Sequence, residues 1–175
     1  MKALVLFYID NSFFYDTMHP NIKEFSERKI IGITTTILKH EQHKIRELWQ
    51  QFMPRKHDIQ SLSSQELIAM QIFNLEENGT PREAFEIWAC AEVMDFDTIP
   101  NHMKAYTIPS GTYAIFPHKG MDAGSTYQNI MSEWLPTSGY EIDNRPHFQV
   151  MGEKYKNGSA DSEEDFYVPV RLIKN

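Results

Sequence analysis

One apolar pattern occurs twice in this chain, and the two copies lie 82 residues apart. In the first copy, which starts at Ile45, apolar side chains recur at positions i, i+3, i+4, i+7 and i+8; in the second, the same spacing starts at Tyr127. This spacing is typical of one face of an amphipathic helix. The same offset aligns residues 30–34 with residues 112–116. The match predicts a duplicated unit; the alternative is that two amphipathic helices near strands match by chance.

Each copy is predicted to form a strand, a helix and two further strands. Strands are recognised by β-branched and aromatic residues that lie between turn-forming residues. A duplicated α+β unit can join its strands into one sheet that carries both helices on one face. We therefore predict an α+β fold of tandem βαββ repeats, with pseudo-twofold symmetry, an antiparallel sheet and a ligand cleft between the halves. The predicted strands are 29–38, 69–75 and 85–94, then 105–108 and 112–116 on either side of a turn at Pro109-Ser110-Gly111, and finally 148–152 and 166–172.

The repeat also gives the predicted boundaries. Half one covers about residues 22–95 and half two about residues 103–173, so that 22–175 form one domain. Residues 1–21 form an N-terminal extension. The pattern is compatible with two alternatives for this extension, a strand over 3–9 followed by a loop, or a poorly ordered arm.

Charge and composition argue against several classes of protein. The formal net charge is −7, and the densest basic stretch is only Arg55-Lys56-His57. Direct binding of nucleic acid needs clustered Lys and Arg, so it is not expected. The apolar run 3–9 is far shorter than the roughly 20 residues that cross a bilayer, and no cleavage region of small residues follows it. We predict a cytoplasmic protein with no membrane partner.

Candidate metal and redox residues are few. Cys90 is the single cysteine, so no intramolecular disulfide is possible. His40, His43 and Glu47 can share one face of a helix, but their order is not that of a His-Glu-x-x-His zinc motif. A solvated helix start is the favoured interpretation. No nucleotide-binding loop or dinucleotide fingerprint occurs, and neither a metal nor a cofactor is expected.

Several segments in the second half of the chain carry a family resemblance. They are 91–93, 99–103, 108–120, 133–140, 146–150 and 166–170. In order and spacing, over roughly residues 24–173, they resemble the GyrI-like effector-binding family, the ligand-sensing domain of certain bacterial AraC-type and MerR-type transcription regulators. This resemblance implies the same tandem βαββ fold that the repeat predicts.

The resemblance also implies an aromatic-lined pocket for bulky, often cationic, drug-like molecules around a buried acid. In the family this carboxylate commonly follows the aromatic residue of a Pro-x-Phe-Glu strand, where this chain has Gln149. An amide keeps hydrogen bonding but loses the formal charge. Glu92 is the nearest alternative acid, because it alternates with Trp88 and Cys90 along one strand. An exposed strand carboxylate is the other interpretation of Glu92.

The leading hypothesis is a free-standing, non-enzymatic protein that binds a small molecule, as a sensor or a sequestering module. A transcriptional role would need a partner protein, since the sequence before residue 29 lacks a basic helical pattern. No catalytic residue is assigned. The candidate ligand-binding residues are Trp88, Glu92, Tyr113, Phe116, Gln149 and Phe166.

Two alternatives come from other classes. Some members of the family hydrolyse cyclopropanoid genotoxins; here Glu92 or Tyr113 would supply the acid or base, although Gln149 argues against that chemistry. A protein-interaction module such as a gyrase inhibitor is the third hypothesis, and its acidic residues would be expected to cluster. They are dispersed apart from 161–165.

Overall fold

The computed structural model describes residues 19–75 and 81–173, which include nine strands and two α-helices. The N-terminal strand considered over residues 3–9 lies outside these ranges. In chain order the elements are β1 (Asn21–Phe25), β2 (Arg28–Leu38), α1 (His43–Phe52), a 3₁₀ segment (Met53–Asp58), β3 (Leu67–Leu75), β4 (Pro81–Glu92), β5 (Lys104–Ile108), β6 (Gly111–Lys119), α2 (Ala123–Asn129), a π segment (Ile130–Trp134), a 3₁₀ turn (Leu135–Thr137), β7 (Tyr140–Ile142), β8 (His147–Met151) and β9 (Glu163–Leu172).

All strand pairs of the sheet are antiparallel, and its order is β1-β6-β9-β8-β3-β4-β2-β5, with β7 added beside β9. The two halves therefore meet at β3 and β8 in the middle of the sheet. The α+β class and the large antiparallel sheet with two helices are confirmed.

The helices form where the apolar pattern predicts them. Leu48 and Phe52 of α1 are buried against β2 and β4. In half two the predicted single helix is divided, since α2 continues as the π segment and then the 3₁₀ turn. Asp122 caps α2 by accepting a hydrogen bond from the backbone N–H of Ser125 at 3.0 Å.

The edge strands are exchanged between the halves. β1 pairs with β6, and β5 pairs with β2. Phe25 lies opposite Gly111 and Arg28 lies opposite Ile108, so the register continues unbroken from one pair into the other. The turn expected at Pro109–Gly111 does not close a hairpin, because β5 and β6 run on in line and each pairs with the other half. This continuous ladder joins the two ends of the sheet.

The sheet has two faces with different coverings. We call the face that packs against α1 and α2 the helix face, and the opposite one the inner face. On the helix face, one apolar cluster surrounds α1 and another surrounds α2. The inner face carries a third cluster, made only of residues from strands: Phe25, Ile30, Ile68, Ile72, Met70, Trp88, Cys90, Tyr106, Ile108, Tyr113, Phe148, Val150 and Tyr167.

Gly32 allows β2 and β4 to pair closely on the inner face. A Cβ at this position would collide with the carbonyl of Ala89 and would lie 2.6 Å from Cα of Cys90. We expect Gly32→Ala to lower the free energy of unfolding by about 2 kcal/mol, because backbone atoms would have to move. Urea denaturation measures this. The control is Gly124→Ala in α2, where the nearest atom is 3.7 Å away, and this change should be neutral or stabilising. Equal losses in both variants would contradict the prediction.

Candidate functional site

A strip of the helix face is only partly buried where the two halves meet. We call it the groove, and its floor consists of Ala69, Gln71 and Phe73 of β3 with His147 and Gln149 of β8. Ala69 pairs with Gln149, and Gln71 pairs with His147. His147 is buried, whereas the other four are half-buried. Helix α1 packs on half one and α2 on half two, and the two helices flank this strip: Phe73 packs against the α1 cluster, and Tyr127 of α2 contacts His147. Ala69, Gln71 and Gln149 stay part-exposed between them.

Aromatic rings from both halves meet at His147. Phe73 contacts its ring edge-on, with the centroids 5.1 Å apart. On the other side, a hydrogen bond of 3.1 Å joins the Tyr127 hydroxyl to His147 Nδ1, and the Tyr127 ring lies 6.4 Å from that of Phe166. Burial lowers the pKa of His147 to about 3, so the imidazole is neutral near pH 7. One end of the groove is therefore aromatic and uncharged.

Two glutamine amides lie on the floor without partners. Neither the Gln71 nor the Gln149 side chain makes a hydrogen bond to any residue in the described part of the chain. They are diagonal neighbours across β3 and β8, a geometry that puts side chains roughly 7 Å apart. An amide offers two donors and an acceptor. The groove therefore presents polar groups that can orient a bound molecule.

The inner face, in contrast, is filled by its own side chains. Trp88 and Tyr113 are almost fully buried. The Trp88 indole N–H donates to the Glu86 carboxylate at 3.2 Å, and the Tyr113 hydroxyl donates to the Pro146 carbonyl at 3.4 Å. Burial raises the pKa of Tyr113 to about 12, so its hydroxyl keeps its proton near pH 7.

Arg28 spans the inner face from β2. Its guanidinium lies over the rings of Phe25, Phe148 and Tyr167, at 5.8, 5.8 and 5.9 Å from their centroids. It also forms an ion pair of 3.4 Å with Glu92. The charge of Glu92 is therefore balanced within the chain, and the aromatic cage beside it already holds a cation.

The six candidate ligand-binding residues fall into two groups on opposite faces. Gln149 lies on the groove floor, opposite Phe166, whereas Phe116 is buried under the helix and contacts Trp134 at 5.0 Å. Trp88, Glu92 and Tyr113 belong to the inner face. The six residues do not come together as one site.

The sequence did not single out four residues near Gln149: Gln71, Phe73 and His147 on the groove floor, and Tyr127 at its aromatic end. A signal for one of them exists, because Gln71 is a polar residue inside an otherwise apolar strand, as Gln149 is in β8. Tyr127 was assigned only to the helix core. The remaining two are Phe73 and His147.

Neither a metal centre nor a membrane-spanning helix is found in the described ranges. Within residues 19–75 and 81–173, no three His, Cys, Asp or Glu side chains come together as a metal site. His40 and His43 are exposed at the start of α1. None of the helices in these ranges is both long enough and apolar enough to cross a bilayer.

Comparison with protein families identifies the class of protein to which this fold belongs. Residues 21–170 match the model of the Cass2 family, described as integron-associated effector-binding proteins. The match covers most of the chain, and the protein belongs to this family. The resemblance to GyrI-like effector-binding domains is thereby confirmed.

Individual relatives agree with this assignment. The transcriptional regulator BrlR of Pseudomonas aeruginosa is 28% identical over 129 residues, which are 72% of this chain and 46% of the regulator. The chain thus spans about half the length of this curated relative. Two solved structures share the fold. SAV2435 bound to tetraphenylphosphonium has a TM-score of 0.65 at 16% identity, over 88% of this chain and 94% of that one. An integron cassette protein of Vibrio cholerae has a TM-score of 0.59 at 18% identity, over 86% and 95%.

His147 should make the protein sensitive to mild acid. Its folded pKa of about 3 lies below the unfolded value of about 6.5, so the unfolded chain binds more protons between these values. The free energy of unfolding should therefore decrease as the pH is lowered, by about 2 kcal/mol between pH 7 and pH 5. Urea denaturation at both pH values measures this loss, and His147→Gln should remove most of it. An unchanged pH dependence in that variant would contradict the assignment.

Proposed function

We propose that this protein binds a bulky aromatic small molecule in the groove between its two halves. The observation that carries the proposal is the part-exposed floor of β3 and β8, with aromatic rings at one end and two amides that have no hydrogen-bond partner among the described residues. Covering this floor with an aromatic ligand would remove apolar surface from water, worth about 25 cal/mol per Å². The amides of Gln71 and Gln149 would fix the orientation of the ligand.

Membership in an effector-binding family supports this role. The structure of SAV2435, which shares the fold, has been solved with bound tetraphenylphosphonium, a bulky aromatic molecule of the kind proposed here. BrlR is a transcriptional regulator, and it supports a sensing role for this chain as an effector module. Sequestration of the ligand without a regulatory partner is the second form of the same proposal.

The inner face is a weaker candidate for the binding site, because its own side chains and Arg28 occupy it. The same contacts weigh against the hydrolase alternative. Glu92 is engaged by Arg28, and the Tyr113 hydroxyl is engaged by the Pro146 carbonyl. A general base needs to reach the proton that it removes, and neither group is free to do so.

The test blocks the groove with one substitution. Gln149→Phe places a ring on the floor, and we expect binding of tetraphenylphosphonium, and of the neutral triphenylphosphine oxide, to weaken at least about tenfold, equivalent to ~1.4 kcal/mol. Isothermal titration calorimetry measures both affinities. The control is Gln50→Phe, the same chemical change at an exposed position of α1, which should leave both affinities unchanged.

Each alternative outcome has a definite meaning. If Gln149→Phe binds both probes as the wild type does, the groove is not the site, and Trp88→Phe then tests the inner face. If the wild type binds neither probe, the proposal is wrong. Melting temperatures of both variants show whether a loss of binding reflects a loss of fold.

A further inference from the structure

On the helix face, Glu164 is a carboxylate with no cation beside it among the described residues. Glu164 stands on β9 two residues before Phe166, which is the pairing partner of Gln149. Strand alternation puts Glu164 on the same face as Phe166, and therefore on the groove side. It is a diagonal neighbour of Gln149, roughly 7 Å away across β8 and β9.

The surroundings of Glu164 leave its charge uncompensated. Within the described residues, no Lys or Arg lies within ion-pair distance of it. Its cross-strand partner on β6 is His118, and burial lowers the pKa of that imidazole, which is therefore neutral near pH 7. Lys154, in the loop that joins β8 to β9, pairs with Glu163 instead, at 2.9 Å.

Burial acts directly on Glu164. The side chain is half-buried, and desolvation raises the pKa of its carboxyl group. Tyr155 lies close enough that the Glu164 carboxylate contributes to raising the pKa of the Tyr155 hydroxyl, after burial itself. A partly desolvated carboxylate beside an aromatic ring gains more from a cation than a fully solvated one does.

We infer that Glu164 makes the groove selective for ligands with a cationic group, placed at the end of the groove near β9 and Tyr155. This inference rests on the proposed function of the groove. The family resemblance would put the ligand-binding carboxylate at the position of Gln149, whereas this inference puts it on the neighbouring strand, at Glu164. Glu92 is not assigned this role, because Arg28 neutralises its charge. The expected ligand is an aromatic monocation whose charge lies towards one side, with its rings over Gln149 and against Tyr127.

The experiment compares two probes of similar bulk and different charge. Calorimetric affinities for tetraphenylphosphonium and triphenylphosphine oxide are measured for the wild type and for Glu164→Gln. We expect the variant to bind the cation about tenfold more weakly and the neutral probe within about twofold of the wild type. The matched control is Glu163→Gln, the same change at the adjacent residue on the opposite face, which should alter neither affinity.

Several results would overturn the inference. Equal weakening of both probes in Glu164→Gln would mean that the residue supports packing rather than charge selection. If Glu164→Gln binds tetraphenylphosphonium as tightly as the wild type does, Glu164 does not take part in recognition. If Gln149→Phe nevertheless weakens binding, the proposed function of the groove still holds. The same loss in Glu163→Gln would indicate a long-range effect of net charge. A wild type that binds neither probe would remove both the site and this inference.

Discussion

The architecture depends on one continuous antiparallel ladder, in which residues 21–32 run beside residues 104–115. This ladder joins the outer edges of the two halves and forces the sheet to curve back on itself. The curvature brings Arg28 of β2 over rings that belong to β1, β8 and β9. The cation–π contacts and the ion pair with Glu92 then hold the inner face closed. With that face filled, the groove on the helix face is where we propose that a ligand binds.

The separation of the two faces explains why residues that are adjacent in sequence have different roles. Phe148 packs in the inner cluster, whereas Gln149, one residue further along β8, lies on the groove floor. Glu163 and Glu164 differ in the same way. Side chains alternate along a strand, so neighbouring residues lie on opposite faces of the sheet. A charge or an amide shifted by one residue would therefore leave the groove side and become solvated or buried in the core.

Periodicity predicted most of the elements but only part of the site. The spacing from Ile45 and from Tyr127 predicted both helices, since apolar side chains on one helical face must be buried. It could not predict the exchange of β1 and β5, because a hydrophobic pattern specifies which face is buried and not which strand is the neighbour. Strand β1 was not predicted either, because most of its residues are polar and give no strand pattern. The last strand was predicted to begin at residue 166, whereas β9 begins at Glu163, and alternation traced back from Phe166 puts Glu164 on the groove side.

The exchange of edge strands has a further consequence for the duplicated unit. A chain divided between β4 and β5 would give two pieces, each carrying an edge strand that belongs to the other piece. Neither half is therefore complete alone, because its sheet lacks the edge strand that the other half supplies. Because both halves belong to one chain, each edge strand finds its partner within the same molecule.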